Sequence, residues 1–208
     1  YTAALALAWT LEPQPGVHDT FWCAAAAAAC TVAYSVEPVY AKARGWLANV
    51  TIAIPRGALL KVAGWGCVAP ALTEPEPWWI GGMFALFLLG AASTKDIADE
   101  AGDARAGCRT LVVRYGVERA IRLMTPFLVW PWLLLPLGVL LTWDRRPLIS
   151  APWYAAVGAA AVLMIYGRYV GIRLRDGGRG HDGNHPAWTH MYALMMLAQV
   201  VLGLAYLA

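Results

Sequence analysis

Four carboxylates crowd one short stretch of the chain: Asp96, Asp99, Glu100 and Asp103, flanked by Lys95, Arg105 and Arg109. Spacings of three, four and seven put these acids on one face of a helix. Like charges so close repel and raise one another's pKa, and a cation removes that cost. Carboxylate oxygens are hard ligands suited to Mg²⁺, which keeps several waters and usually joins one or two carboxylates to substrate phosphates. The flanking bases could take up the remaining phosphate charge. An EF-hand is excluded, because the alternating ligands and the closing Glu are missing. The plainer alternative is a solvated, charged helix end. Against it, the acids lie on one side and the other base-rich loops carry few acids.

Two more ionisable residues, Arg56 and Lys61, lie inside an otherwise apolar run. Such residues are costly in lipid and usually face a cavity. Asn49 and Arg56, seven apart, share a helix face, so Arg56 could face such a cavity with it. A snorkelling or carbonyl-paired arginine is an equal alternative, and for Lys61 it is the preferred one. His181, His185 and His190 have no metal-binding spacing and read as a polar loop. Cys23, Cys30, Cys67 and Cys108 form no CxxC pair and read as free thiols.

The elements that must position these groups are membrane spans. The chain has 208 residues, 60% hydrophobic and 14% charged, with a mean hydropathy of +0.52. A soluble domain carries ~25% charged residues, so this composition excludes disordered, nucleic-acid-binding and disulfide-scaffold classes. A span needs ~20 mostly apolar residues. Seven segments serve: Tyr1–Trp9, Thr20–Tyr34, Leu47–Pro70, Trp78–Thr94, Leu123–Thr142, Ala151–Ile172 and Trp188–Leu207. The expected fold is an all-α, polytopic transmembrane bundle forming a single domain over residues 1–208. Lys and Arg mark cytoplasmic loops. The stretch Lys95–Arg122 holds six of them, whereas Ala71–Pro77 holds none. The acidic face is therefore expected at the cytoplasmic surface of a multi-pass plasma-membrane protein. The opening residues lack the charged and apolar pattern of a signal peptide, so none is expected in this stretch. The chain opens at Tyr1 inside an apolar run, which suggests missing N-terminal residues.

The run Lys95-Asp-Ile-Ala-Asp-Glu-Ala-Gly-Asp103, followed by Gly107 and Thr110-Leu111, resembles the second aspartate-rich motif of the UbiA superfamily of intramembrane prenyltransferases. Tyr34-Ser35, Pro38, Lys42 and Gly45-Trp46-Leu47-Ala48-Asn49 resembles a loop-to-helix segment of the same family, most closely its chlorophyll-synthase-like and homogentisate-type branches. The two stretches occur in the family's order, and the resemblance covers essentially the whole chain. The CDP-alcohol phosphotransferase pattern fails instead, since Glu100 follows Asp99 and no acid lies between Asp103 and Glu118.

The resemblance implies a nine-helix fold, with this chain matching helices three to nine. It implies a prenyl diphosphate held through Mg²⁺, and transfer of its isoprenoid group to an aromatic or other lipophilic, electron-rich acceptor within membrane lipid. Asp96, Asp99 and Asp103 would be the catalytic metal ligands. Lys42 and Arg105 would bind diphosphate, Tyr34 and Asn49 would line the site, and Arg56 would contact substrate. The family's first aspartate-rich motif has no counterpart here. The alternative function is a non-catalytic membrane protein, either a cation-binding transporter or a degenerate remnant of the fold. Acids at one end of the bundle and the lack of an internal repeat disfavour the transporter.

Overall fold

The computed structural model describes residues 1–176 and 186–208. His181 and His185 lie outside the described residues. Of the described residues, 78% are helical. In order come α1 (Thr2–Thr10), α2 (Asp19–Ser35), α3 (Trp46–Ala53), α4 (Leu60–Gly66), α5 (Pro75–Ala91), α6 (Asp96–Arg105), α7 (Leu111–Tyr115), α8 (Val117–Val129), α9 (Leu134–Leu140), α10 (Trp153–Asp176) and α11 (Pro186–Leu207). Among the described residues, four helical stretches are long and apolar enough to cross a membrane: Pro75–Thr94, Val117–Leu140, Trp153–Arg175 and Trp188–Leu207. The other three predicted spans are helical too, but α1 and α2 are short and α3–α4 is interrupted.

That interruption has a local cause. Ile54–Leu59 form a π turn joining α3 to α4. Pro55 lacks the N–H that a regular helix would use, so the ladder widens there. Gly57 sits in the turn against α5, where an added Cβ would fall 2.4 Å from the Ala85 backbone. Small residues allow this backbone approach, which drives helix packing where lipid supplies no hydrophobic force.

The core runs through α5, α8, α10 and α11. Phe84, Phe87 and Met83 of α5 meet Leu163 of α10, Leu194 of α11 and Trp132, all almost fully buried. Trp132 lies edge-on to Phe84 at 5.7 Å. Its indole N–H donates to the Leu128 carbonyl at 2.9 Å, which satisfies the one polar atom of a buried ring.

At the end opposite α6, two acids tie loops together. Asp19 accepts the N–H groups of Ala71 and Leu72 at 2.6 and 3.0 Å. Glu76 accepts from the Ser150 N–H, the Ser150 hydroxyl and the Tyr206 hydroxyl, clamping α5, α10 and α11. The all-helical expectation missed one feature, a two-stranded antiparallel hairpin with Thr142 opposite Pro147. Its turn residues Asp144 and Arg145 both have positive φ, as a type I′ turn requires.

Candidate functional site

The acidic stretch is helical, as its spacing predicted, and begins where α5 ends. A short 3₁₀ turn, Ala92–Thr94, carries α5 directly into α6. Polar face and apolar span are thus one nearly continuous element. Asp99 is solvent-facing and pairs with Lys95 at 3.6 Å. Asp96 lies further inside. Burial pushes its carboxyl up to about 7, the negative charges of Asp103 and Asp99 add to the rise, and the Ser93 hydroxyl and Lys95 oppose it. Asp103 is raised as well, by burial first and then by Asp99. Asp96 and Asp103 therefore both resist ionisation, and a bound cation relieves such a cost.

Tyr34 at the end of α2 and Lys42 in the following loop reach the same place. Asp96, Lys42, Asp103 and Cys108 all lie within electrostatic reach of the Tyr34 hydroxyl. The Lys42 ammonium sits 4.7 Å above the Tyr40 ring. A backbone bond from the Arg109 N–H to the Ala43 carbonyl, 3.2 Å, fastens this loop to the segment after α6. The Lys42 loop and the acidic helix, far apart in sequence, are held side by side.

Asn49 takes a different position from the one its sequence context suggested. It is buried, with 4% exposure, and so is Ser93, with 1%. The Asn49 amide N–H₂ donates to the Leu89 carbonyl at 2.7 Å and to the Ser93 oxygen at 2.8 Å. A carbonyl can only accept, so this contact fixes the amide orientation. The Ser93 hydroxyl donates back to the Asn49 Oδ1 at 3.2 Å and is near enough to the Asp96 carboxyl to oppose its rise. Asn49 and Ser93 thus form a buried polar pair beside Asp96. Ser93 was missed from sequence, although its position three residues before Asp96 places it on the acids' face of the helix.

Arg56 and Arg105 are not drawn into this cluster. The Arg56 guanidinium reaches towards α11, 3.5 Å from the Tyr192 hydroxyl. Arg105 donates to the Ala101 carbonyl of its own helix at 3.2 Å. Lys61, read from sequence as snorkelling or carbonyl-paired, instead donates to the Gln199 side chain at 2.8 Å and lies 4.6 Å from the Phe84 ring centre. Arg56 and Lys61 thus both reach towards α11. His190 likewise packs in the bundle, 3.0 Å from the Tyr166 hydroxyl.

A divalent cation fits the chemistry of α6 in part. Asp96 and Asp103 offer hard oxygens, and burial first, then neighbouring acids, raises both carboxyls above their ordinary range. Among the described residues, no three His, Cys, Asp or Glu side chains converge closely enough to cage a metal. Mg²⁺ needs no such cage when substrate phosphates complete its shell.

Comparison with known proteins agrees with this geometry. Residues 1–182 match the UbiA prenyltransferase family. The chain is similar to the bacteriochlorophyll synthase 34 kDa chain of Chloroflexus aurantiacus, 31% identical over 93 residues. That match covers 45% of this chain and spans 29% of the relative's length. No solved structure matches.

Proposed function

The chain belongs to the UbiA prenyltransferase family, and on that premise we propose that it serves an integral-membrane enzyme moving an isoprenoid group from a prenyl diphosphate to an electron-rich acceptor. One observation carries this reading. Tyr34, Lys42, Asp96 and Asp103 come together at one end of an apolar bundle. A diphosphate can meet cation-binding carboxylates and a base there while its hydrocarbon tail lies among apolar side chains.

In this reading Asp96, Asp99 and Asp103 hold Mg²⁺, which supplies charge neutralisation to the departing diphosphate. Lys42 adds positive charge at the same phosphates, and Arg105, which the sequence reading assigned to them, would have to leave the Ala101 carbonyl to join it. Asn49 and Ser93 keep Asp96 turned towards them. Tyr34 and the apolar walls surround the allylic carbon and exclude the water that would quench its cation. Arg56, facing Tyr192, contacts an acceptor rather than the diphosphate. The bias of Lys and Arg supports a cytoplasmic orientation of the acidic end, in a protein of the plasma membrane. The acceptor is aromatic or otherwise electron-rich, and the relative's name makes a tetrapyrrole-like acceptor worth including in the test.

The test is a membrane assay of the full-length protein with a panel of allylic diphosphates and acceptors, with Mg²⁺ or with excess chelator. The reading expects prenylated product that disappears on chelation. Absence of product with every pair, from membranes containing folded protein, would favour the degenerate remnant. Undiminished turnover in chelator would remove the metal from the mechanism.

A further inference from the structure

Away from the acidic helix, α8 and α10 enclose a groove of about 500 Å³, lined by Thr125, Pro126, Val129, Trp130, Met164, Ile165 and Arg168. It opens outward: Trp130 is 59% and Ile165 72% exposed. Two local features create it. Gly167 pins the helices together on one edge, where an added Cβ would lie 2.0 Å from the Leu128 carbonyl oxygen. Pro126 interrupts α8, which then passes at Trp130 into a 3₁₀ turn. Tight contact beside a broken helix leaves a slot.

The slot is ordered by polarity. The helices run antiparallel, and α8 starts at the end of the bundle that carries α6. Thr125, Pro126 and Arg168 therefore lie nearer that end. Val129, Trp130, Met164 and Ile165 lie about one turn, or ~5 Å, deeper. Arg168 has no carboxylate within salt-bridge distance among the described residues, whose ion pairs are His18–Glu12, Lys95–Asp99 and Arg122–Glu118. Arg175, two turns further along the same face of α10, adds positive charge at the mouth. A cation without a partner inside a span signals a ligand or a route to the interface.

We propose that this groove binds an anionic phospholipid of the leaflet at the acidic end. The phosphate sits on Arg168, and one acyl chain descends along Met164, Ile165, Val129 and Trp130. The site takes no part in the proposed reaction, so it stands or fails independently of that reading. A lipid meets both halves of the groove, charge above and hydrocarbon below, whereas a free phosphate would use only the first.

Native mass spectrometry of the full-length protein in mixed micelles, titrated with dioleoyl phosphatidylglycerol or dioleoyl phosphatidylcholine, tests this. The wild type should retain the anionic lipid preferentially. Arg168→Gln should reduce that preference about five-fold, as loss of one cation near an anionic headgroup implies. Arg119→Gln, on α8 but away from the groove lining, should leave it unchanged. Ile165→Trp should fill the slot and lower retention of both lipids without touching the charge. An Arg168→Gln preference equal to wild type would overturn the proposal, as would unaltered retention by Ile165→Trp. Displacement of the anionic lipid by millimolar inorganic phosphate would do the same, since it would show that the hydrocarbon is not recognised.

Discussion

Replacing Asn49 probes how the acidic face is held. The amide N–H₂ makes two bonds, to the Leu89 carbonyl and to Ser93, inside the bundle. A buried hydrogen bond contributes about 0.5–1.5 kcal/mol net, so Asn49→Ala should cost roughly 1–3 kcal/mol. Asn49→Asp keeps the shape but sets an acceptor against the Leu89 carbonyl. It also places a carboxylate at a position only 4% exposed, close behind Asp96. Its cost should exceed that of Asn49→Ala, because a buried unpaired charge is penalised beyond the lost bonds. The assay is heat- or SDS-induced loss of helical circular dichroism at neutral pH, with wild type, Asn49→Ala and Asn49→Asp in the same detergent. The expected order of stability is wild type, then Ala, then Asp. An Asp variant as stable as wild type would refute the reasoning, because it would mean the buried face of Asn49 does not donate.

Four other outcomes follow from the geometry. Gly167→Ala must push α10 from α8, because its Cβ would fall 2.0 Å from a backbone oxygen; a cost of roughly 1–3 kcal/mol, typical of overpacking, should appear in the same unfolding assay, and an unchanged midpoint would contradict the close approach. Asp19→Ala frees the N–H groups of Ala71 and Leu72 and should destabilise by about 3–6 kcal/mol, since each charge-assisted bond contributes ~1.5–3; Asp19→Asn, which keeps an acceptor, should do less harm. Glu76→Ala removes the acceptor shared by Ser150 and Tyr206 and should raise proteolysis of the Thr142–Pro147 hairpin relative to wild type; equal cleavage rates would show that the clamp is not needed. Finally, a single cysteine at Arg114 should be shielded from an impermeant outside reagent and one at Glu74 should react; the reverse pattern would invert the topology.

The sequence revealed the architecture through hydropathy and the acidic face through helical spacing, because both are local periodic signals. α6 forms where Asp96, Asp99 and Asp103 require it, and Trp78–Thr94, Ala151–Ile172 and Trp188–Leu207 correspond to long apolar helices. What stayed hidden depends on contacts between distant segments. Asn49 could be placed on a helix face, but which face is buried depends on α5, forty residues away. Lys61 carries no local sign that Gln199 would accept from it across the bundle. Ser93 had a weak local signal in its spacing to Asp96. Its role became visible only with Asn49 on its other side. The Thr142–Pro147 hairpin escaped because its turn residues, Asp144 and Arg145, lack the glycine that usually announces a type I′ turn.

The central claim is that the acids of α6 hold the cation and diphosphate of a prenyl transfer. The most direct measurement is turnover of an allylic diphosphate, as a function of Mg²⁺ concentration, by full-length protein carrying Asp99→Asn or Asp103→Asn, with Glu100→Gln alongside. Each Asp variant should lose turnover and be rescued poorly by excess Mg²⁺, because ligand geometry is lost as well as charge, while Glu100→Gln should be milder. Near-normal turnover in either Asp variant, with the protein folded, would contradict the account.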